Sequence, residues 1–218
     1  MDFRFDLITG YLPLLLRGAL VTIGISAAGV VFGSVLGLVL AWAKMSANII
    51  ASYLASGYIH LFRGTPLLVQ ILIVHFGLVP LVIGKTDAIT AAIVALSLNS
   101  AAYTAEIFRA GIQSIDKGQT EAARSLGMSH AQTMRFVILP QAVKRMIPPF
   151  GNEFIVLVKD SSLVSIIAAQ ELMYWTSAFR GQYLRVWEPY LTAAVIYLIL
   201  TYSLSKLLQY TERRLNKA

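Results

Sequence analysis

Acidic and polar side chains lie within long apolar stretches of this 218-residue sequence, where an ionised group is costly unless it has a function. Glu153 and Asp160 are seven residues apart, so a continuous helix would carry both on one face together with Leu157. Asn99 and Tyr103 share one face of another helix because they are four residues apart. We predict a small polar chamber whose substrate-binding residues are Glu153, Asp160, Asn99 and Tyr103.

Each of these residues also has a structural alternative. Glu153 could form a structural ion pair or lie at the membrane interface, and Asp160 could pair with Lys159 if the helix breaks there. Asn99 and Tyr103 could instead hold helices together, since polar side chains bridge helices within membranes.

Two further charged residues lie near this set. Glu106 is close to a basic segment, so we expect it to pair with Arg109, three residues on, and we leave it outside the site. Arg63 stands beside a Gly-Thr-Pro turn. It could meet a substrate carboxylate, although snorkelling or a structural pair is the more ordinary role.

Two carboxylates with no obvious unpaired cation favour a positively charged solute, because a buried anion is stabilised by an opposite charge. Lysine, arginine, ornithine or histidine would serve. Backbone amides would then hold the α-carboxylate, either where Pro148-Pro149 and Gly151 interrupt the helix or at Ser161 and Ser162.

Other chemistries find little support in the sequence. It contains no cysteine, which removes disulfides, thiolate metal sites and thiol nucleophiles. His60, His75 and His130 are scattered and make no metal-ligand spacing. The sequence has no Gly-x-x-x-x-Gly-Lys-Ser/Thr phosphate loop either. We therefore expect a chain that is not itself an enzyme and holds no cofactor.

The composition indicates an all-α integral membrane protein. Hydrophobic residues make up 57% of the chain and charged residues 13%, and the mean hydropathy is +0.68. Apolar stretches run from Gly18 to Ala43, from Met45 to Phe62, from Gly64 to Gly84, from Ala88 to Ala105 and from Pro189 to Ser205, with a broken region from Val137 to Phe179. The second and third stretches could be two spans or one long helix with an interfacial start. The first stretch is too long for a cleaved signal peptide, so we expect it to be retained.

Basic residues predict the orientation, since Lys and Arg accumulate in cytoplasmic loops. They concentrate after Ala105 and in the C-terminal tail, at Arg109, Lys117, Arg124, Arg135, Lys144, Arg145, Lys206, Arg213, Arg214 and Lys217. Placing both segments in the cytoplasm gives five transmembrane helices with the N-terminus outside, and a six-span version stays possible. Gly29, Gly33 and Gly37 form a ridge on the first span that suits helix packing within the chain or, less commonly, an oligomer interface.

A helix-turn-helix unit is predicted in the basic loop. Thr120 can cap a helix from Glu121 to Leu126, Gly127 suits its C-terminal turn, and Ser129 can cap a second helix up to Pro140. Such a unit could read DNA, but its position between spans argues against nucleic acid as a partner.

The same unit resembles the EAA loop of permease subunits in ATP-binding-cassette (ABC) importers. The resemblance rests on Glu121-Ala122-Ala123, on Gly127 and on Leu139-Pro140, with Val137 where the family often has isoleucine. Two more segments, Arg63-Gly64-Thr65-Pro66-Leu67-Leu68-Val69-Gln70 and Gly151 to Leu163, resemble the polar amino-acid branch of that family.

The resemblance implies a single permease domain over residues 1–218 with the type I importer fold, and a cytoplasmic coupling segment at about 113–140. Glu121, Ala122, Ala123 and Gly127 would contact separate ATPase subunits, which bind ATP and Mg²⁺. The other implied partners are a second permease subunit, an extracytoplasmic solute-binding protein, an amino-acid substrate and lipid of the cell membrane. We expect the two permease subunits to form a homodimer, although a heterodimer with a similar permease would look the same from this chain.

Two other functions compete with this interpretation. The intramembrane acids would also suit a secondary transporter or channel that works without ATP, although no internal repeat is visible. A membrane scaffold or sensor could use the loop to bind a partner without moving solute.

Overall fold

The computed structural model describes residues 3–215, and this part of the chain is helical with no strand. Lys217, which was assigned to the cytoplasmic tail, lies outside the described residues. The α-helices are α1 (Phe5–Met45), α2 (Ile49–Gly64), α3 (Leu67–Ile73), α4 (Val79–Ile83), α5 (Ala88–Gln113), α6 (Lys117–Ser125), α7 (His130–Thr133), α8 (Leu139–Asp160), α9 (Leu172–Tyr183) and α10 (Trp187–Leu215). Two π-helical turns, Val74–Leu78 and Met134–Ile138, and a 3₁₀ helix, Ser161–Ile167, join some of them.

Three of these helices are long and apolar enough to cross a membrane, namely α1, α5 and α10. A fourth span is possible if α2 and the Leu67–Ile83 segment, which meet at an angle of 107°, form one bent crossing. Helix α8 has the length of a span, but charged residues such as Lys144, Arg145 and Glu153 lower its hydropathy. The chain is therefore a multi-pass membrane protein, and the count of five spans is not confirmed.

The bend between α2 and α3 follows from Thr65-Pro66, because proline cannot continue the hydrogen-bond ladder of a helix. The buried Gln70 holds the bend: its Nε2 donates to the carbonyl oxygen of Phe62 at 2.8 Å and to that of Thr65 at 3.1 Å. A single amide side chain thus satisfies backbone carbonyls that the broken helix leaves free.

Close packing of α1 against α5 forms the centre of the molecule. A Cβ atom added at Gly29 would lie 3.0 Å from Leu96, and one at Gly33 would lie 2.8 Å from Ser100. Thr104 completes the contact by donating from Oγ1 to the carbonyl oxygen of Gly33 at 3.1 Å. The glycine ridge, which includes Gly37, therefore packs within the chain.

Both π-helical turns precede a proline. Each is closed by an amide that bonds a carbonyl five residues back, from Val79 to Val74 and from Leu139 to Met134. Pro80 and Pro140 follow directly. Proline lacks an N–H and its ring clashes with the carbonyl four residues earlier, so the wider turn lets the helix continue. The prediction that the second helix of the unit ends at Pro140 was wrong, because α8 runs on to Asp160.

Candidate functional site

A polar cavity of about 400 Å³ opens between α2, α5 and α8. Its walls carry both signs of charge, and the lining residues are Arg63, Tyr103, Glu106, Ile107, Ala110, Gly111, Arg145, Pro149, Asn152 and Glu153. Of the four predicted substrate-binding residues, this cavity brings together Glu153 and Tyr103. Asn99 and Asp160 are not among its lining residues.

Glu153 is buried in the cavity wall, with 8% of its surface exposed. Its Oε1 accepts a hydrogen bond from Oγ of Ser100 at 3.1 Å. Within residues 3–215 the Glu153 carboxylate forms no ion pair. A buried carboxylate with one neutral hydrogen-bond donor has capacity left for a cationic ligand.

Tyr103 and Arg63 also line the cavity and contact each other. The Cζ atom of Arg63 lies 5.3 Å from the centroid of the Tyr103 ring, within the range of a cation–π contact. Arg63 enters no ion pair in the described part of the chain. The guanidinium therefore faces the cavity with its donors available to an anion.

Glu106 also lines the cavity, but its charge is neutralised. Its carboxylate pairs with Lys44 at 2.6 Å and with Arg109 at 2.7 Å. The predicted pair with Arg109 is confirmed, whereas the contact with Lys44, 62 residues away in the chain, had no signal in the local sequence. Arg145, on the facing helix, donates to the carbonyl oxygen of Ser114.

Asn99 lies on the side of α5 that faces the bend between α2 and α3. Its Nδ2 donates to Oε1 of Gln70 at 2.9 Å, and both side chains are buried. Because Gln70 in turn holds the backbone of Thr65, Asn99 is connected to the segment that positions Arg63. The structure therefore gives Asn99 a positioning contact.

Asp160 is the last residue of α8 and is half-buried. The helix is unbroken from Glu153 to Asp160, so the two carboxylates share a side of α8 and their Cα atoms are about 10 Å apart along the axis. Asp160 forms no ion pair with Lys159 or any other described residue.

Two of the backbone sites expected to hold a substrate carboxylate, the Pro148-Pro149 region and Ser161, have no free amide donors. Helix α8 continues through Pro148 and Pro149, so no interruption exposes amides there. The amide of Ser161 bonds the carbonyl oxygens of Leu157 and Lys159. Arg63, which the sequence analysis left open as a contact for a substrate carboxylate, lines the cavity.

The predicted coupling segment forms a helix, a turn and a second helix. The first helix, α6, begins at Lys117 with Asp116 as its cap, whose Oδ1 accepts from the amide of Gly118 at 2.7 Å. The expectation of a cap at Thr120 was therefore wrong. Gly127 has a φ of +81°, which favours glycine, and Ser129 caps α7 in a reciprocal pair with Gln132.

Only part of the segment is free to meet a partner. Glu121, Ala122 and Gly127 are exposed, but Ala123 is 4% exposed and packs towards the protein. Leu126, at the tip, is 83% exposed. A single exposed apolar side chain is ordinary on a protein surface and does not by itself mark a docking site. The sequence analysis did not single Leu126 out.

A second buried carboxylate, Glu171, lies at the start of α9. It accepts hydrogen bonds from the amides of Met173 at 2.8 Å and Tyr174 at 2.7 Å, and from the hydroxyl of Tyr197 at 3.1 Å. Thr22 on α1 donates at 3.4 Å. Because these contacts connect α1, α9 and α10 and fill the carboxylate's capacity, Glu171 is a structural residue.

Outside the membrane helices, the chain offers few titratable candidates. Hydrogen bonding by Thr90 lowers the pKa of the Asp87 carboxyl, which caps α5. No group of three or more His, Asp or Glu side chains within residues 3–215 could hold a metal ion.

Residues 29–217 match the family model described as the binding-protein-dependent transport system inner membrane component. The glutamine transport system permease protein GlnP of Escherichia coli (strain K12) is 40% identical over 217 residues, which cover 99% of each chain. The arginine transport system permease protein ArtQ of Bacillus subtilis (strain 168) is 40% identical over 218 residues, covering 99% of this chain and 98% of that one.

Two solved structures of ABC transporters also resemble this chain. A chain of an amino acid ABC transporter crystallised with histidines superposes with a TM-score of 0.93 at 45% sequence identity, covering 98% of this chain and all of that one. The inward-facing MetNI methionine ABC transporter superposes with a TM-score of 0.78 at 25% identity, covering 94% and 97% of the two chains.

Proposed function

The chain belongs to the family of binding-protein-dependent transport system inner membrane components, and from this premise we propose that it imports a basic amino acid through the polar cavity. It is a permease component of an amino-acid ABC importer. The observation that carries the proposal is the pair of uncommitted opposite charges, Glu153 and Arg63, in one cavity.

The charges in and beside the cavity favour a basic substrate. Arg63 is complementary to the α-carboxylate that every amino acid carries, since guanidinium binds carboxylate through two parallel hydrogen bonds. Glu153 and Asp160 then remain for the two cationic groups of arginine or lysine. Arg63, Glu153 and Asp160, the residues that would contact the substrate, sum to one negative charge, so a substrate with one net positive charge neutralises this set and glutamine does not. Arg145 also lines the cavity, but its guanidinium is directed to the carbonyl oxygen of Ser114.

We place Asp160 and Asn99 in this account by different routes. Asp160 lies two turns beyond Glu153 on the same helix, so the two carboxylates are spaced for the two cationic groups of one long substrate, with Glu153 at the basic side chain. Asn99 acts through Gln70 and the bend that carries Arg63. Tyr103 supports the guanidinium of Arg63 with its ring.

The second permease subunit completes the pathway in this proposal. The polar cavity is open on one side, so two copies facing each other would enclose it, and we propose a homodimer. Helix α8 would bring the number of spans to five. The importer would lie in the cell membrane with the N-terminus of this chain outside and the coupling segment, about 113–140, in the cytoplasm.

The coupling segment would dock into a separate ATPase subunit that binds ATP and Mg²⁺. The exposed Glu121, Ala122, Gly127 and Leu126 would form the contact, while Ala123 anchors α6 to the protein. A solute-binding protein would deliver the amino acid from outside. Closure of the ATPase pair around ATP would then move the helices that enclose the cavity.

Replacing Glu153 with Gln tests the substrate assignment. We expect the dissociation constant of arginine for the assembled importer to rise at least tenfold, or about 1.4 kcal/mol, because the variant removes one of the charges that meets the basic side chain. Glutamine binding should change by less than about threefold. Glu212→Gln, which removes a carboxylate of α10 outside the cavity, is the matched control and should leave both constants unchanged. Equal weakening of arginine and glutamine by Glu153→Gln would refute the basic preference.

A further inference from the structure

An apolar groove of about 560 Å³ lies between α1, α8 and α10. Eleven residues line it, and ten of them have apolar side chains or none: Ala27, Val30, Val31, Ile147, Phe150, Gly151, Phe154, Leu204, Leu207, Leu208 and Thr211. The volume falls in the range of specific small-ligand pockets. Along α8 and α10 the groove occupies the half of the membrane nearer the coupling segment, because α8 begins at Leu139 and α10 ends at Leu215.

The groove and the polar cavity lie on opposite faces of α8. Residues of a helix advance by about 100° each, so the groove residues Phe150, Gly151 and Phe154 point away from the cavity residues Asn152 and Glu153. This step rests on the proposed function: a second permease copy that completes the polar cavity leaves the groove uncovered. The groove therefore faces lipid.

Basic side chains stand at the end of the groove nearest the coupling segment. Lys144 precedes Ile147 by three residues on α8, and Arg214 follows Thr211 by three residues on α10, so each lies one turn beyond the lining. Both side chains are exposed, and neither forms an ion pair within the described residues. The guanidinium of Arg214 lies over the Tyr210 ring, with its Cζ 4.9 Å from the centroid, a contact that leaves its charge without an anionic partner. An apolar slot that ends at two cations without anionic partners matches the chemistry of a lipid with an anionic headgroup.

We infer that this groove binds one anionic phospholipid of the cytoplasmic leaflet, with an acyl chain along Phe150 and Phe154 and the phosphate at Lys144 and Arg214. The site differs from general lipid contact because it holds the headgroup and the chain at once. Its occupant supports α8 from the side opposite the substrate.

Native mass spectrometry of the assembled importer, titrated in detergent with phosphatidylglycerol or with phosphatidylcholine of the same chains, tests the inference. We expect phosphatidylglycerol to bind at least tenfold more tightly. The double variant Lys144→Gln/Arg214→Gln should weaken it by about tenfold to thirtyfold, since each basic residue near an anionic headgroup contributes on the order of 1 kcal/mol. Lys206→Gln/Arg213→Gln is the matched control, because it removes the same charge from the other face of α10 and should leave binding unchanged.

A second pair of variants tests the apolar part. Ala27→Phe places a ring in the groove and should displace phosphatidylglycerol, whereas Val39→Phe, exposed on another face of α1, should not. Equal retention of the two lipids, or equal loss in both charge variants, would overturn the inference. Loss of bound phosphatidylglycerol when two permease copies associate, seen in the mass of the dimer, would also overturn the inference. Lipid retention needs no transport, so loss of arginine-stimulated ATP turnover with retained lipid binding would count against the proposed function alone.

Discussion

Arg63 changes the chemistry expected of the substrate site more than any other residue. With two carboxylates alone, the site would bind cations of any kind, including simple amines. With a guanidinium beside the Tyr103 ring in the same cavity as Glu153, the proposed site would distinguish amino acids from amines by their α-carboxylate. Recognition of the backbone and recognition of the side chain then belong to different residues.

The division predicts that Arg63→Gln weakens every amino acid to a similar extent. Loss of a charge-assisted hydrogen-bond pair costs about 1.5–3 kcal/mol, so dissociation constants for arginine, lysine and glutamine should each rise roughly tenfold to a hundredfold. Arg17→Gln removes an exposed guanidinium of α1 outside the cavity and serves as control. Binding of decarboxylated arginine should not respond to Arg63→Gln. A selective loss of arginine over glutamine would contradict the assigned role.

How much of the site was predictable depends on the distance along the chain between its parts. Glu153 could be found because an acid in an apolar stretch is conspicuous by itself. The pairing of Glu106 with Lys44 and the approach of Arg63 to Tyr103 join separate helices, and no local pattern encodes them. Glu171 was missed for the same reason, since its partners lie on three helices.

At the scale of the helix, the glycines of α1 decide how closely α5 can approach. A methyl group at Gly37 would collide with Thr104 and would lie 2.9 Å from the carbonyl oxygen of Ala101, whereas one at Gly24 meets nothing within 4 Å. The repeat at every fourth residue predicted the packing face, because small residues let membrane helices come together. The partner helix could be identified only in the structure.

Gly37→Ala should therefore destabilise the protein by about 1–3 kcal/mol through overpacking, while Gly24→Ala should be neutral or slightly stabilising. Thermal unfolding of the detergent-solubilised chain measures the difference, with a Tm several degrees lower for Gly37→Ala. A normal Tm for Gly37→Ala combined with a loss of dimer would show instead that the ridge serves an oligomer interface.

The coupling segment was predicted well where its turn chemistry is local. Gly127 and Ser129 take the conformations expected of a left-handed turn and a cap. The start of α6 was misplaced because Asp116 competes with Thr120 as a cap, and aspartate is the stronger cap. Exposure along the segment depends on tertiary packing, so the contrast between the buried Ala123 and the exposed Leu126 had no sequence signal.

Leu126→Ala should weaken binding of the ATPase subunit by about tenfold to a hundredfold, because burying a leucine side chain at an interface contributes about 1.5–3 kcal/mol. Leu184→Ala is a matched control: the residue is 88% exposed, lies in another connection and has no place in the coupling segment. Co-purification at graded protein concentration gives the two dissociation constants. Equal binding of both variants would remove Leu126 from the interface.

At the scale of the whole molecule, the account requires the two ends of the helix bundle to face different compartments. The chain lacks cysteine, so single cysteines can be labelled without background. A membrane-impermeant maleimide should label Leu184→Cys in intact cells and Ser125→Cys only after permeabilisation, since both positions are exposed. Labelling of Ser125→Cys in intact cells would place the coupling segment outside, where no ATPase could reach it.

The sequence was sufficient to predict the fold class, but it did not determine the number of spans. Composition and the spacing of charges predicted a helical multi-pass protein, because lipid requires internally bonded backbone. The count of spans stayed open because α8 carries charged residues, among them the proposed site residue Glu153, and these charges lower its hydropathy. The charged residues proposed to bind substrate therefore make α8 harder to recognise as a membrane span from its hydropathy.

Uptake of labelled arginine by sealed vesicles tests the central claim most directly. The vesicles would contain the permease and its ATPase, with the solute-binding protein outside and all ion gradients collapsed. The account predicts accumulation only when ATP is inside, and loss of that accumulation in Glu153→Gln. Accumulation driven by an imposed ion gradient without nucleotide would contradict it.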